Sequence, residues 1–337
     1  MTEIANLPEE EKEFYEHYHF TVDHGQQPVR MDKFLTDRIS NVSRSKIQSA
    51  VDAGAILVNG KPAKSSYKVK PRDEISVVLP YPPHEFELIA ENIPLNIVFE
   101  DHDIIIINKE AGMVVHPGFG NFTGTMLNAL LYHLKEDTDS QALLVHRIDK
   151  DTSGILVVAK NDASQAKLAK YFFDHIIDRK YQALVWGDFE TDEGTVTGYI
   201  GRNVRNRKMM DVYQDEAEGR YAVTHYKVLE RFRYVTLIEC TLETGRTHQI
   251  RAHLKHIGHP LFNDALYGGD KILKGTTFTK YKQFVENCFQ LMPRQALHAK
   301  SLGFVHPVTG KYVFFDSDIP SDMEAVLEKW RNYTQNV

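Results

Sequence analysis

Two apolar runs parted by a charged, turn-forming stretch constrain this chain more than any other feature. Ala142 to Val145 approach as an extended segment, and Ile155 to Ala159 make a near-continuous apolar strand. Between them stands His146-Arg147-Ile148-Asp149-Lys150-Asp151-Thr152-Ser153-Gly154. A short apolar run bounded by turn residues reads as a buried strand, and Thr-Ser-Gly suits the turn that feeds it. Asp149 therefore stands at the edge of a core. A carboxylate there is costly unless a cation or several donors hold it, which marks it as a candidate for chemistry.

The 337 residues suffice for about two domains, and a hydrophobic content of 42% supports at least one sizeable core. No apolar run approaches the ~20 residues that cross a bilayer. Glu9, Glu10, Glu11, Glu13 and Glu16 make the N-terminus unlike a signal or transit peptide. Cys240 and Cys288 are far apart and in no ligand spacing, which suggests reduced thiols in a cytoplasmic protein and excludes a zinc-thiolate site. The net charge of −6 is unevenly spread: −6 over residues 1–27, +5 over 28–80 and −5 over the remainder. Local sign matters more than the total.

Four stretches are expected: an acidic flexible tail over 1–16, a compact module over 17–80, a linker over 81–87 and a larger domain over 88–330. In the module, Phe20 to Asp23 could add a short strand. Met31 to Ile39 has helical spacing, and Ser43 is a candidate N-cap for a second helix that buries Ile47, Ala50 and Val51 and stops at Gly54. Ala55 to Val58, the turn Asn59-Gly60 and the alternation Ile75-Val77-Leu79 predict short strands. Beyond Leu88, strands at 104–107, 155–159, 181–185 and 235–240 outnumber helices at 164–173 and 247–257. With no βαβ alternation and no GxGxxG, the expected class is α+β with a mixed, largely antiparallel sheet.

Arg44 and Lys46 stand in the first turn of the second helix, where the partial positive charge of a helix N-terminus disfavours cations. That arrangement suits a phosphate on which amides and side chains converge. Arg38, Lys61, Lys64, Lys68 and Lys70 extend the basic surface. Residues 17 to 80 resemble the small RNA-binding module first recognised in ribosomal protein S-four, which implies a grip on structured RNA and carries no chemistry.

Four further segments stand out: Asn108-Lys109-Glu110-Ala111-Gly112-Met113-Val114-Val115-His116-Pro117; the Asp149 run; Arg179-Lys180-Tyr181-Gln182-Ala183-Leu184-Val185; and Leu242 to Leu254 with Gly245-Arg246-Thr247-His248-Gln249-Ile250-Arg251, continuing to Asp264-Ala265-Leu266-Tyr267-Gly268. In this order and spacing the chain resembles the pseudouridine synthases of the RluA type, and within them the RluD-like large-subunit ribosomal RNA enzymes that carry an N-terminal RNA-binding module. The likeness spans residues 17 to 330. Departures are few: Glu110 stands where Pro is common, Ile148 replaces the usual Leu, and Asn263 precedes Asp264 where Gly is frequent.

The resemblance implies isomerisation of uridine by breaking C1′–N1 and joining C1′ to C5, with no redox change and no net hydrolysis. Neither cofactor nor metal is called for. It makes Asp149 the catalytic carboxylate, nucleophile or base, steadied by a guanidinium from Arg251 or, as the alternative, Arg246. Tyr181 is set against the uracil face, where its ring can stack and its hydroxyl can assist proton removal. The target must leave its stack, and Arg147 is the candidate to fill the gap. Arg202, Arg205, Arg207 and Lys208, within Gly201 to Met210, suggest a basic loop that clamps RNA.

His248, His253, His256 and His259 lack HExxH spacing and suit helix packing or phosphate contacts better than a metal. The expected partner is RNA, from the large ribosomal subunit or an assembling subunit, with no membrane and a monomeric enzyme. A silent RNA-binding assembly factor is the competing reading. A glycosidase-like hydrolase would need a second acid across the sugar, and Asp151 is too close in sequence to serve.

Overall fold

The computed structural model describes residues 15–39, 44–52, 54–64, 66–79, 88–118, 121–137, 139–206 and 208–335. By its contacts the chain divides into two compact units, Met1–Glu87 and Leu88–Val337.

The smaller unit runs β1 (Tyr15–Thr21), α1 (Met31–Thr36), α2 (Arg44–Asp52), β2 (Ile56–Val58), β3 (Lys61–Pro62) and β4 (Glu74–Leu79). Its antiparallel sheet has the order β1-β4-β2-β3. Met31, Phe34, Leu35, Ile47 and Val51 from the helices pack onto Ile56, Ile75 and Val77 of the sheet. Asn59 and Gly60 both take positive φ in the β2–β3 turn, as a two-residue hairpin of this hand requires. The first helix stops at Thr36, short of the expected Ile39, and the chain leaves it through a tightened turn in which the Arg38 amide bonds Leu35 O three residues back. β1 starts two residues before position 17 and ends at Thr21 rather than Asp23. Ser43, the expected cap, the linker over 81–87 and nearly all of the expected acidic tail lie outside the described residues.

The larger unit holds β5 (Ile97–Glu100), β6 (Ile104–Lys109), α3 (Met126–His133), β7 (Leu143–Leu144), β8 (Ser153–Ala159), α4 (Asp162–Phe173), β9 (Asp178–Trp186), β10 (Glu193–Arg202), β11 (Met210–Tyr213), β12 (Arg220–Arg231), β13 (Val235–Leu242), α5 (Gln249–His256), α6 (Thr279–Leu291), β14 (Leu297–Val305), β15 (Tyr312–Asp316) and α7 (Ser321–Gln335). One mixed sheet runs β11-β10-β12-β13-β9-β14-β8-β6-β5, with β15 on β14 and β7 on β8. Among the described pairs only β8 with β14 is parallel. The class is α+β, with strands outnumbering helices.

The central strands carry apolar residues at successive positions over 104–107, 155–159 and 183–186 because both sheet faces are covered there. Ile105, Ile107, Leu156, Val158, Ala183 and Val185 enter one core. Their neighbours Ile104, Ile106, Ile155 and Val157 enter a second, and Leu184 and Trp186 a third with α6 and α7. Gly154 opens β8 at φ +118, and any Cβ there would collide with the Ala299 carbonyl of β14. This close approach swings the preceding loop, with Asp149, across the end of the sheet. The unit continues past residue 330, since Trp330 lies mid-helix in α7 and is fully buried.

Candidate active site

The loop between β7 and β8 presents Asp149, and its backbone is held carbonyl by carbonyl. Thr152 N donates to Asp149 O at 3.1 Å. Lys150 O accepts from Gly112 N and from Lys109 Nζ, each at 2.9 Å. Asp151 O accepts from Arg294 Nη1 at 3.1 Å. Lys109 ends β6 and is fully buried, its ammonium also donating to Glu110 O and Met113 O. Burial pulls its pKa down to about 7, against the opposing pull of Asp151. Arg294 is anchored by a two-pronged bond to Asp322 at the start of α7, at 2.7 and 2.9 Å.

One guanidinium meets the Asp149 side chain. Arg251 Nη1 donates to Asp149 Oδ2 at 2.9 Å, while its Nε and Nη2 fork onto Asp264 at 2.7 and 2.9 Å. Helix α5 carries Arg251 because Ile250 and Leu254 of the same helix enter the core. The side chain of Asp264 is 1% exposed, that of Arg251 8% and that of Asp149 20%, so the chain of charges runs from the interior to an opening. Burial works against the Arg251 charge, but Asp264 and then Asp149 outweigh it and raise the pKa above the ordinary value. Asp149 Oδ1 accepts no hydrogen bond among the described residues and is not enclosed.

His248 and Tyr267 complete the surround. His248 takes φ +53 at the head of α5, which places Nε2 at 3.7 Å from Asp149 Oδ2 and Nδ1 at 3.0 Å from Tyr267 Oη. Burial lowers the His248 pKa against the attraction of Asp149. The Tyr267 ring lies under the Arg251 guanidinium at 4.9 Å, and burial pushes its phenol up to about 12.

Tyr181 sits on β9 between Cys240 of β13 and Ala299 of β14. It is buried, which raises its phenol pKa. A narrow hollow of about 60 Å³ brings Asp149, Tyr181, Arg251 and Arg147 together with Leu242 and Ile250. To one side lies a cleft of about 640 Å³ lined by His116, Asn121, Asn263 and Arg294. To the other lies one of about 420 Å³ lined by Phe172, Phe173, Arg179 and Arg246. Asp149 and Arg147 border all three, and Arg147 is exposed.

Of the two arginines left open as partners for Asp149, Arg251 makes the bond. Arg246 instead directs Nε to Tyr221 O at 3.2 Å. Arg205 and Lys208 are exposed on the β10–β11 hairpin, and Arg207 lies outside the described residues. That hairpin is tied to the site by Met210 N, which donates to Tyr267 Oη at 2.9 Å. In the smaller unit, Arg38 stacks over Phe34 at 3.7 Å and Arg44 Nε donates to Asp32 Oδ2 at 3.0 Å. The side chain of Lys46 is outside what is described.

The histidines divide. His253 packs against Thr224 and His259 stacks on Phe189, whereas His248 faces the carboxylate, which neither helix packing nor phosphate contact anticipates. Asp101, Asp103 and His306 come close enough to suggest a metal. However, His306 Nδ1 accepts from Val308 N and Thr309 N, so Nε2 carries the proton toward Asp101 and has no lone pair to offer. Asp264, His248, Tyr267, Lys109 and Arg294 are the functional neighbours that the sequence reading did not assign.

A family model described as RNA pseudouridylate synthase matches residues 103–256, spanning Asp149, Tyr181 and Arg251, and an S4 domain model matches 29–75. An "Uncharacterized RNA pseudouridine synthase" of Chlorobaculum parvum is 47% identical over 313 residues, covering 91% of this chain and 95% of that protein. The chain belongs to the RNA pseudouridylate synthase family. It is thus an isomerase with an S4-type RNA-binding module, and its partner is RNA. "Ribosomal large subunit pseudouridine synthase D" of Zymomonas mobilis is 41% identical over 309 residues, covering 89% of this chain and 93% of that protein. The fold is shared with the solved "Human RNA Pseudouridylate Synthase Domain Containing 4", at a TM-score of 0.55 and 22% identity over 70% of this chain and 93% of that one.

Proposed function

We propose that this synthase isomerises uridines of large-subunit ribosomal RNA, free or within an assembling subunit, with Asp149 as its catalytic carboxylate. The observation that carries the reading is the Asp264–Arg251–Asp149 chain, which bonds one oxygen of Asp149 and leaves the other without a hydrogen bond among the described residues, at a residue that shares a hollow with Tyr181. The isomerisation breaks C1′–N1, turns the base, joins C1′ to C5 and moves a proton from C5 to N1, so it calls for a carboxylate beside the sugar and base, as nucleophile or base, and for no oxidant or added group. Arg251 steadies that charge and is itself kept from swinging by Asp264. Three pinned carbonyls hold the loop, so Asp149 reaches the nucleotide with little reorganisation.

Tyr181 supplies the face on which the extruded uracil rests, and its raised phenol pKa keeps the hydroxyl protonated until a base approaches. Exposed Arg147 stands at the mouth to occupy the place the uridine leaves, offsetting an extrusion that costs a few kcal/mol. Residues 17–80 grip the RNA through Arg38, Arg44 and Lys46, while Arg205 and Lys208 of the hairpin, and with them Arg207, add to the hold in residues 88–330. The enzyme acts as a cytoplasmic monomer. The large-subunit substrate is supported by the names of relatives such as that of Zymomonas mobilis.

Pseudouridine mapped across ribosomal RNA, with and without the gene, tests this reading. Specific large-subunit positions should lose the modification and regain it on complementation with the wild-type gene but not with Asp149→Asn. An unchanged large-subunit map would refute the substrate, and rescue by Asp149→Asn would refute the chemistry.

A further inference from the structure

Among the described residues, three arginines of the larger unit are more than nine-tenths buried, and two of them have hydrogen-bonding counter-charges. Arg251 is matched by Asp264 and Asp149. Arg294 is matched by Asp322 and three carbonyls. Arg179 is 7% exposed, yet among the described residues it makes no hydrogen bond or ion pair, and its Nε is fully enclosed without a partner. Its contact is the Phe172 ring, 5.4 Å from the guanidinium carbon. Burial pulls its pKa down. An enclosed, uncompensated charge is among the costliest things a fold can carry, and it persists where something outside the chain completes it.

The surroundings say what that is. Arg179 lines the cleft of about 420 Å³ beside Asp149, together with Arg147, Arg246 and His175. Among the described residues the one carboxylate bordering this cleft, Asp149, is already bonded to Arg251. A neutral uracil carbonyl would leave the charge uncompensated, whereas a phosphodiester takes a guanidinium fork directly. Room for the fork is built in, since a Cβ on Gly245 would stand 2.8 Å from Arg179 Nη1. Arg179 and Tyr181 are two apart on β9, so they share a sheet face about 7 Å apart. The anion on Arg179 therefore belongs to the nucleotide stacked on Tyr181 or to its immediate neighbour. Phe173, 81% exposed on the rim, offers a platform for the adjoining base.

We propose that Arg179 is a phosphate-binding residue that grips the RNA backbone at the linkage beside the target uridine, in the cleft it forms with Phe172, Arg246 and Gly245. This rests on the reading of the Asp149 site given above. On engagement the phosphate replaces the counter-charge that the free protein lacks, so the nucleotide reaches Asp149 with its backbone fixed.

The test uses the full chain and a stem-loop around a uridine found by the mapping, with one uncharged methylphosphonate placed at each linkage flanking the target. For the wild type, one linkage should weaken affinity and single-turnover conversion by about tenfold to about a hundredfold, the range for a charge-assisted bond. Arg179→Met should lose a similar factor on all-phosphate RNA and lose nothing more at that linkage. Arg179→Lys should recover part of the loss. Removing an unpaired buried charge should leave the melting temperature of Arg179→Met equal to or above that of the wild type.

Losses that multiply, a scan with no sensitive linkage, or a lowered melting temperature with the same loss on every RNA would each overturn the proposal. A flat scan by a wild type that converts the RNA, alongside an inactive Asp149→Asn, would remove the phosphate contact and leave the Asp149 reading intact.

Discussion

Asp32 of the smaller unit and Asp149 of the larger are both carboxylates at the edge of an apolar core, both bonded to arginine, and only one of them is free to do chemistry. Asp32 is fully enclosed and accepts from Arg30 twice, from Arg44, from Gln48 and from the Lys33 amide. The Arg30 bond leads the effects that hold its pKa far below the usual carboxylate range. Every lone pair is spoken for. Asp149 accepts one charged bond, on one oxygen, and its other oxygen accepts none among the described residues and is not enclosed. Arg251 divides these roles within a single network, closing off Asp264 completely while only steadying Asp149. Saturation makes a carboxylate structural; a single well-held bond makes it usable.

The largest effect should come from Arg251→Met. It leaves the Asp264 charge enclosed with only the Tyr267 amide and Asp149 unsteadied, which should cost about 3–5 kcal/mol of stability and roughly a thousandfold or more in conversion rate. Denaturant melts and single-turnover assays read both. Near-wild-type stability would show that Asp264 does not depend on Arg251.

An effect that is smaller group by group, and leaves the chemistry untouched, follows from groups buried in neutral form. Burial lowers the pKa of both His253 and His298 to about 4. Between the ordinary histidine value of ~6.5 and 4 the unfolded chain binds more protons than the folded one. Stability of the larger unit should therefore fall as pH drops through that window, by on the order of 2–3 kcal/mol for each. Thermal melts at pH 7 and pH 4.5 check the sign, and a rise in melting temperature on acidification would contradict it.

The smallest effect should be that of Asp32→Asn. Losing the charge that three side chains and an amide converge on should destabilise the smaller unit by about 1.5–3 kcal/mol. RNA affinity should fall while conversion at saturating RNA is unchanged. A matching loss at saturation would erase the distinction between the two carboxylates.

The four motif segments made Asp149, Tyr181 and Arg251 legible in the sequence, and the apolar run over 155–159 made the central strand so. Asp264 was equally visible as a letter. Nothing in a linear chain says that a turn 13 residues beyond Arg251 folds back beneath its guanidinium. Arg44 illustrates the same limit: a cation at a helix start suggests a phosphate, but nothing there announces the buried carboxylate 12 residues upstream that its Nε meets while the rest of the side chain stays exposed. His248 is placed by its left-handed backbone, which no residue type at that position announces. Arg179 reads in the sequence only as a neighbour of Tyr181, and its lack of a hydrogen bond or ion pair among the described residues is visible only in three dimensions. By contrast, α6 and α7 carried a readable signal. Tyr281, Val285 and Cys288, like Met323, Val326, Leu327 and Trp330, recur at helical spacing and are all buried.

The open oxygen of Asp149 is tested most directly by measuring pseudouridine formed by Asp149→Asn at enzyme excess over a bound stem-loop. The substitution keeps the side-chain shape and removes the charge. The expected result is RNA bound at close to wild-type affinity, with no conversion at times when the wild type has finished. Conversion at near the wild-type rate would mean that the reaction does not run through this carboxylate.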